Sequence, residues 1–411
     1  MWSDTLVVHE AKCPPSCTLC VDACRQRDGA DGPAVLETVS VPQDNYRSVV
    51  TCNQCSQPEC VAVCPTGALS RPTSGAAVAL DKERCVGCGV CDLVCPYGGT
   101  VLQPEKHTFF KCDLCGGDPQ CAKVCPNGIL TYEKAREIAE RLSEDVVSPG
   151  LPYCAGCGME LIDRFTLRVL GRNLVLFGAP GCNVLGSRAR VPYYGSLMTN
   201  HVSSATGVSR YLHRLGKDTL CVEIIGDGAT ADIGFGALSA AAERGEKILY
   251  ICYDNEAYMN TGIQRSSTTP FGGWTNTTQV GAKDRGKRET AKNVPLLMAF
   301  HNIHYAATAV MGFPEDYLQK LLKAREAAKE GMAYIHVLSP CPTGWKCRTE
   351  DSVEITRAAV QTNYFPLWEA ERGALRLTHA VRDRLPIQSF TRYMERFAHL
   401  TPEELAQLQK A

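Results

Sequence analysis

The sequence contains no apolar run long enough to cross a membrane as a helix. Its first residues lack the basic segment followed by an apolar one that marks a signal peptide, so we expect a cytoplasmic protein without a membrane span. An excess of charge of one sign is also missing, because the formal net charge is −1 and no run of Lys or Arg stands out. These absences argue against membrane functions and give no support to nucleic-acid binding.

Cysteine, in contrast, is abundant, with 23 residues in a chain of 411. A chain of this length can build two or three domains with apolar cores of their own, so it does not need a disulfide framework. Disulfides also belong mainly to exported proteins. Most of the cysteines lie near the N-terminus at short spacings, which is typical of metal ligands.

Four cysteine quartets lie within residues 1–130, which we predict to be a ferredoxin-like iron–sulfur domain. In chain order they are Cys13, Cys17, Cys20 and Cys24; Cys52, Cys55, Cys60 and Cys64; Cys85, Cys88, Cys91 and Cys95; and Cys112, Cys115, Cys121 and Cys125. The third quartet, followed by Pro96, is the C-x2-C-x2-C-x3-C-P run of bacterial ferredoxins, which binds [4Fe–4S] clusters. The second and fourth quartets lengthen the middle spacing, and the first lacks the proline. A zinc ribbon is the alternative, although zinc does not call for a repeated C-x3-C-P ending.

These spacings resemble the four-cluster ferredoxin-like subunits of molybdenum oxidoreductases and formate hydrogenlyases. The resemblance implies that three cysteines of a quartet bind one cluster while the fourth serves another. It also implies that the first quartet pairs with the fourth, and the second with the third. Because apolar patterning is weak in this segment, we expect the domain to need iron to fold.

Residues 131–150 are predicted to be a linker, formed by a charged helix over 132–147 and ended by Ser148-Pro149-Gly150. From residue 151 to 411, short apolar runs alternate with helical patterns, which predicts an α/β domain with a mostly parallel sheet. The predicted strands are 174–177, 220–225, 248–252, 305–310 and 335–338. The predicted helices are 160–170, 203–215, 234–244 and 314–329.

The candidate functional residues follow the carboxyl ends of the predicted strands, where ligands bind in parallel sheets. Gly226-Asp227-Gly228 follows one strand and Asn255 follows the next, which is the pattern of a thiamine diphosphate site. Glycines let the backbone approach the diphosphate. Mg²⁺ prefers oxygen ligands, which Asp227, Asn255 and the backbone carbonyl of Ala257 are predicted to supply.

From about residue 151 to the end, the chain resembles the thiamine diphosphate-binding (β) subunit of 2-oxoacid:ferredoxin oxidoreductases, the pyruvate:ferredoxin oxidoreductase superfamily. The motifs that carry this resemblance are Cys154-Ala155-Gly156-Cys157-Gly158, Gly181-Cys182, Gly226-Asp227-Gly228, Asp254-Asn255-Glu256-Ala257-Tyr258-Met259-Asn260-Thr261-Gly262, Ser339-Pro340-Cys341-Pro342 and Arg396-Phe397.

The resemblance implies a fifth, proximal [4Fe–4S] cluster held by Cys154, Cys157, Cys182 and Cys341. Cys347 is a rival for Cys341, which we favour because the family motif places its cysteine between a strand end and a proline. Cys221 and Cys252 lie inside apolar strands and are interpreted as core residues.

The resemblance also implies contacts to the cofactor. The predicted cofactor-binding residues are Gly226, Asp227, Gly228, Asn255, Ala257, Asn260, Thr261 and Gly262. Asn260 and Thr261 are predicted to line the reaction centre, with residues 264–270 as a covering loop. His201 is either a further catalytic contact at this site or an ordinary residue near a helix N-terminus.

The implied reaction is the oxidative decarboxylation of a 2-oxo acid, with capture of the acyl group by coenzyme A. Electrons would leave through the clusters to ferredoxin or to a flavin subunit that reduces NAD. The chain has no pyrimidine-binding domain, so we expect partner subunits of α and γ type and no activity without them. Relatives that take dicarboxylic acids carry a lysine where this chain has Asn183-Val184-Leu185, which favours an apolar or aromatic substrate, although Arg188 and Arg190 lie close by.

Two other functions are compatible with parts of the pattern. One is a thiamine-dependent decarboxylase without redox chemistry, which would have no use for the cysteine quartets. The other is an electron-transfer subunit whose C-terminal domain only docks, which would have no use for Asp227 and Asn255.

Overall fold

A computed structural model gives the chain as two compact units, Met1–Arg141 and Leu142–Ala411. The structure describes residues 5–8, 13–14, 16–27, 33–41, 46–55, 58–71, 77–95, 98–103, 107–134, 146–148, 153–182, 189–381 and 383–410. Pro96, Arg188 and Asn183-Val184-Leu185 lie outside these residues. No helix within them is long and apolar enough to cross a membrane.

The N-terminal unit is built from short antiparallel strand pairs and short helices. Strand β1 (Thr5–Val8) pairs with β8 (Leu130–Glu133), β2 (Glu37–Val41) with β3 (Tyr46–Val50), β4 (Leu69–Ser70) with β5 (Ala79–Leu80), and β6 (Thr100–Gln103) with β7 (Thr108–Lys111). The helices are α1 (Leu19–Arg27), α2 (Glu59–Ala62), α3 (Val90–Leu93) and α4 (Gln120–Lys123). Cysteines contribute many of the buried side chains between these elements, in keeping with a unit organised around metal ligands.

The predicted linker helix is wrong at both of its ends. Tyr132 and Glu133 belong to β8, because they pair with Leu6 and Thr5 of β1. Val147 forms an extended bridge with Ala189. The middle of the predicted helix, residues 135–145, lies outside the described residues.

The C-terminal unit is organised around one sheet of eight strands in the order β10-β9-β11-β12-β14-β13-β15-β16. These are β9 (Leu174–Gly178), β10 (Tyr193–Gly195), β11 (Leu220–Gly226), β12 (Leu249–Asp254), β13 (Tyr305–Val310), β14 (Ala333–Leu338), β15 (Trp368–Glu371) and β16 (Ala374–Leu377). The first six strands of this order run parallel and the last two are antiparallel. The five predicted strands and the mostly parallel sheet are therefore confirmed.

The helices of this unit are α5 (Gly158–Leu170), α6 (His201–Arg214), α7 (Phe235–Glu243), α8 (Val294–Phe300), α9 (Pro314–Glu330), α10 (Pro342–Trp345), α11 (Ser352–Gln361), α12 (Gln388–Thr391) and α13 (Pro402–Lys410). The four predicted helices correspond to α5, α6, α7 and α9. Every residue of β12 and β14 is buried, as expected for parallel strands covered on both faces. Strands β9, β11, β12 and β14 all end at the same edge of the sheet, where their following loops form the candidate site.

Candidate functional site

Three oxygen-bearing groups converge where β11 and β12 end. One terminal atom of the Asn255 amide lies 3.1 Å from Asp227 Oδ1 and 2.8 Å from the Ala257 carbonyl oxygen. If that atom is the amide nitrogen, it donates to both oxygens. If it is the amide oxygen, it faces two other oxygens, a contact that a bound cation would stabilise. The predicted Mg²⁺ ligands thus lie together, and they are the ligand types that this ion prefers.

The second oxygen of Asp227 is held by the loop over residues 264–270. Ser266 Oγ donates to Asp227 Oδ2 over 2.5 Å, and Thr268 Oγ1 lies 3.0 Å from the same oxygen and 2.9 Å from Asp254 Oδ1. Burial and the neighbouring carboxylate of Asp254 raise the pKa of Asp227 well above its ordinary value. A bound cation would oppose both effects, so the donor set fits a divalent ion.

The two glycines on either side of Asp227 lie where a side chain has little room. A Cβ on Gly228 would lie 2.4 Å from Cε1 of Tyr258, whose hydroxyl donates to the Gly228 carbonyl over 3.0 Å. A Cβ on Gly226 would lie 3.1 Å from the Tyr253 hydroxyl. From Gly228 the backbone continues as a turn of π-helix to Ile233, a conformation frequent at functional sites.

Asn260, Thr261 and Gly262 follow β12 on a loop at the rim of this site. Thr261 Oγ1 donates to Gln264 Oε1 over 2.7 Å, and Gln264 Nε2 donates back to the Thr261 carbonyl over 2.8 Å. Asn260 and Thr261 are exposed, and Gly262 has a φ of +122°, which favours glycine. Their predicted roles at the diphosphate and reaction centre stay predictions.

His201 begins α6 but lies in the interior. Its side chain is 0 % exposed, and its Nδ1 lies 3.2 Å from Oε2 of Glu223, which is equally buried on β11. The other ring nitrogen, Nε2, would lie 2.9 Å from a Cβ on Gly234. In this conformation the ring has no access to a substrate, so its catalytic role stays a prediction that the geometry does not support.

The four cysteines predicted to hold the proximal cluster are close neighbours. Burial raises the pKa of Cys182 to about 12, and the thiols of Cys157, Cys341 and Cys154 add to the effect. Asp227 is a further electrostatic neighbour of Cys182. For Cys347 the neighbouring thiol is Cys341, which places Cys347 beside the set rather than within it.

Backbone contacts hold these cysteines in place. The N–H of Cys157 donates to the carbonyl of Cys154 over 3.0 Å, which closes the turn before α5. Gly156 within this turn has a φ of +72°, and a Cβ there would lie 2.4 Å from the carbonyl oxygen of Thr349. The N–H of Gly158 reaches the carbonyl of Pro340 over 3.3 Å, which joins this turn to the segment carrying Cys341.

Among the described residues, no three Cys, His, Asp or Glu side chains are arranged to share a single metal ion. A [4Fe–4S] cluster presents a separate iron atom to each thiolate and so requires a wider arrangement than a zinc ion.

In the N-terminal unit the quartets exchange their fourth cysteines. The electrostatic neighbours of Cys20 are Cys13, Cys17 and, from the last quartet, Cys125. Cys121 in turn has Cys24 of the first quartet among its electrostatic neighbours, together with Cys115 and Cys20. This is the arrangement that the pairing of first and fourth quartets predicts.

The second and third quartets are interleaved in the same way. Cys60 has Cys52 and, from the third quartet, Cys95 as neighbours. Cys91 has Cys60, Cys85 and Cys88 as electrostatic neighbours, and both Cys91 and Cys64 pack against the small buried cluster that contains Cys60. The electrostatic neighbours of Cys20, Cys121 and Cys60 thus each include at least one thiol of the quartet with which the predicted pairing joins them.

A buried ion pair supports the loop after β12, and sequence reasoning did not assign it a role. Arg396 pairs with Glu256, which also accepts a hydrogen bond from Tyr364, and both charged side chains are at most 5 % exposed. Trp345, over which Arg396 stacks, donates to the Asn255 carbonyl over 2.8 Å. The Arg396-Phe397 motif could have indicated a role for Arg396, but its partner Glu256 lies 140 residues away in the sequence.

A second unassigned group, Asp163, is buried on α5. It accepts a hydrogen bond from the Tyr153 hydroxyl, next to Cys154. Burial raises the pKa of Asp163 to about 7 despite this hydrogen bond, and Glu160 adds to the rise.

Comparison with known proteins agrees with this geometry. Residues 183–337 match the family model of the thiamine pyrophosphate enzyme C-terminal TPP-binding domain, and residues 44–135 match a 4Fe-4S dicluster domain. Iron–sulfur clusters and thiamine diphosphate are therefore cofactors of this family of chains.

Three curated relatives illustrate the similarity. The β subunit of NADH-dependent phenylglyoxylate dehydrogenase from Aromatoleum evansii is 40% identical over 422 residues, covering 99% of this chain and 94% of the relative. The pyruvate synthase subunit PorB of Methanothermobacter thermautotrophicus is 43% identical over 65% of this chain and 94% of its own length. The ketoisovalerate oxidoreductase subunit VorB of Pyrococcus horikoshii is 39% identical over 68% of this chain and 94% of its own length.

These relatives are subunits of oxidoreductase complexes, and one of them matches both units of this chain together. With the thiamine diphosphate and cluster motifs in place, the chain belongs to the thiamine diphosphate-binding β subunits of the 2-oxoacid:ferredoxin oxidoreductase family.

Proposed function

We propose that this chain carries the thiamine diphosphate and cluster relay of a complex that oxidises an aromatic 2-oxo acid. The reaction would convert the 2-oxo acid, coenzyme A and NAD⁺ into an acyl-coenzyme A, CO₂ and NADH. The observation that carries the proposal is that Cys182 neighbours both the other three proximal thiols and Asp227. A cluster beside the cofactor's cation site is required for electron removal and has no use in a plain decarboxylase.

The proposed roles of the residues follow from their positions. Asp227, Asn255 and the Ala257 carbonyl would hold Mg²⁺ against the diphosphate, while Gly226 and Gly228 admit it. Thiamine diphosphate supplies the carbanion chemistry of decarboxylation when it is bound. The loop over 264–270 keeps Asp227 oriented, and the four thiols near it would hold the proximal [4Fe–4S] cluster.

The choice of substrate and acceptor rests on the relative that matches the whole chain. The phenylglyoxylate dehydrogenase subunit shares the N-terminal cluster unit, whereas the pyruvate synthase and ketoisovalerate oxidoreductase subunits match about two thirds of the chain. An aromatic acid also agrees with the apolar residues expected after Cys182. We therefore propose a flavin subunit that reduces NAD as the acceptor, with α- and γ-type partners completing the site. The cytoplasmic location stays a prediction.

The test is an anaerobic assay of the complex that contains this chain. With Mg²⁺ and thiamine diphosphate present, phenylglyoxylate, pyruvate, 2-oxoisovalerate and 2-oxoglutarate are offered in turn, with and without coenzyme A. We expect phenylglyoxylate to bleach the iron–sulfur absorbance fastest, coenzyme A to accelerate it, and NAD⁺ to restore the colour.

The other outcomes distinguish the alternatives. Release of CO₂ without bleaching would establish a plain decarboxylase. Bleaching by pyruvate or 2-oxoglutarate alone would keep the reaction and replace the substrate. Neither bleaching nor CO₂ release in the complete complex would leave electron transfer with a docking domain as the function.

A further inference from the structure

Lys111, the last residue of β7, is a buried cation that faces a cluster ligand. Its Nζ lies 3.0 Å from Cys52 Sγ and 3.5 Å from the Gly99 carbonyl, and the side chain is 5 % exposed. The thiols of Cys60 and Cys95 are its further electrostatic neighbours. The ammonium group therefore faces the ligand set that joins the second quartet to Cys95.

Lys111 directly precedes a predicted cluster ligand in the sequence. Lys111 is the last residue of β7, and the next residue, Cys112, is a predicted ligand of the set formed by the fourth quartet. Cys112 neighbours Cys121 and Cys24, and it also neighbours Cys52. Lys111 thus lies where two of the ligand sets adjoin.

The buried Gln54 side chain holds these two sets together. Its Nε2 donates to the Cys112 carbonyl over 2.6 Å, and its Oε1 accepts from the Val78 N–H over 2.9 Å. The backbone of Gln54 has a φ of +48°, and its N–H lies 3.4 Å from Cys52 Sγ. Cys52 Sγ therefore receives hydrogen bonds from both the Gln54 N–H and Lys111 Nζ.

The charge of Lys111 differs from other positive charges near thiols because no carboxylate offsets it. Across the part of the chain that the structure describes, Lys111 forms no ion pair with an acid. Arg27, whose Nη1 lies 3.8 Å from Cys115 Sγ, is ion-paired with Asp113. Cys24, Cys95 and Cys125 receive hydrogen bonds from backbone N–H groups instead.

One-electron reduction makes a [4Fe–4S] cluster and its thiolates more negative by one charge. A fixed ammonium group that donates to a ligand sulfur stabilises the reduced state more than the oxidised one, because hydrogen bonds to sulfur and net charge set the reduction potential. Burial strengthens this interaction by excluding water.

We propose that Lys111 makes the cluster held by Cys52, Cys55, Cys60 and Cys95 the most easily reduced cluster of the N-terminal unit, where electrons delivered one at a time collect before they leave. This inference rests on the cluster assignment of the proposed function. The cluster with the most positive reduction potential in the N-terminal unit would then lie where two ligand sets adjoin.

The experiment is a reductive titration followed by EPR spectroscopy on the full-length protein with its clusters, with iron and sulfide determined for each preparation. A chemical reductant is used, so the result does not depend on any 2-oxo acid. The variants are Lys111→Met, which removes charge and hydrogen bond; Lys111→Gln, which keeps a neutral donor; and Lys111→Arg, which keeps the charge. The control is Lys82→Met, since Lys82 is exposed and its Nζ lies 4.3 Å from the ring of Phe110, next to Lys111.

In the unmodified protein, the EPR signal of the proposed Lys111-facing cluster should appear first in the titration, at the most positive potential among the N-terminal clusters. We expect it to move to a more negative potential in Lys111→Met, to move less in Lys111→Gln, and to stay in Lys111→Arg and Lys82→Met. An unmoved first signal in Lys111→Met at full iron content would overturn the proposal. If Lys111→Met loses iron, the Gln variant decides, and an unchanged potential there would equally overturn it.

Failure of this inference can be told from failure of the proposed function. If the 2-oxo acid bleaches the clusters while no Lys111 variant changes a potential, the function stands and the role of Lys111 falls. If the potential shifts while no 2-oxo acid reduces the complex, Lys111 tunes a relay that serves another electron donor.

Discussion

At the scale of single residues, Asp227 decides whether the C-terminal unit is catalytic. We expect Asp227→Ala to lower turnover by at least about 100-fold, because it removes a proposed charged ligand of the cation that would hold the diphosphate. Thiamine diphosphate binding at fixed Mg²⁺ should weaken while the iron content stays unchanged. Exposed Asp218 provides the control Asp218→Ala, which should retain activity. Full activity of Asp227→Ala would instead support a unit that only docks.

A second residue, Asp163, links stability to pH. Burial raises its pKa to about 7, so between about pH 4 and pH 7 the folded chain holds a proton that the unfolded chain has released. The free energy of unfolding therefore falls as pH rises through this window and levels off above it. Asp163→Asn removes this penalty and keeps an oxygen to accept from Tyr153.

The comparison to make is the thermal midpoint of Asp163→Asn minus that of the unmodified protein. We expect this difference to increase by a few degrees between pH 5 and pH 8. Equal differences at both pH values would show that Asp163 does not titrate in this range.

At the scale of elements, the turn that joins β11 to the π-helical segment is proposed to approach the diphosphate closely. We expect Gly228→Ala to weaken thiamine diphosphate binding by about tenfold or more, equivalent to about 1.4 kcal/mol, because the added methyl group displaces Tyr258. Gly236→Ala is the matched control on α7, where a Cβ meets no atom within 4 Å. This variant should bind normally and gain stability, since alanine favours a helix over glycine by up to about 1 kcal/mol. Equal binding by both variants would remove the close-approach argument.

The core elements of the C-terminal unit were predictable, because each carries its own periodic pattern. The five parallel strands and the helices α5, α6, α7 and α9 are confirmed. The β15–β16 pair was missed because β15 has only four residues, two of them glutamates, and the edge strand β16 is largely exposed, so neither sequence has the pattern of a buried strand. Tyr132 was assigned to a helix because its charged neighbours suggested one, whereas pairing with β1 over more than 120 residues decided otherwise.

The candidate site was predictable to the extent that its residues follow strand ends. Asp227, Asn255 and Ala257 come together because parallel strands end at one edge. The buried position of His201 could not be predicted, because its partner Glu223 lies on a different element, β11, and their pairing is a tertiary contact. The Glu256–Arg396 and Lys111–Cys52 contacts escaped for the same reason.

At the scale of the whole molecule, the proposed function depends on partner subunits that supply the pyrimidine-binding domain. We expect the isolated chain, reconstituted with iron and sulfide, to bind thiamine diphosphate and Mg²⁺ but not to be reduced by any 2-oxo acid. Addition of the partner subunits should restore reduction of the clusters, which is measured as bleaching of their absorbance. Turnover by the isolated chain would show that the partners are dispensable for catalysis.

The interleaving of the quartets has a consequence for biosynthesis. The set around Cys20 needs Cys125, and the first strand, β1, needs β8, so both are completed only when nearly the whole N-terminal unit has left the ribosome. Cluster insertion into the first quartet therefore cannot keep pace with translation. In the proposed ligand assignment, the two sites shared by the first and fourth quartets are filled only on a nearly finished unit, and a chain that stalls before Cys112 would lack ligands for both of them.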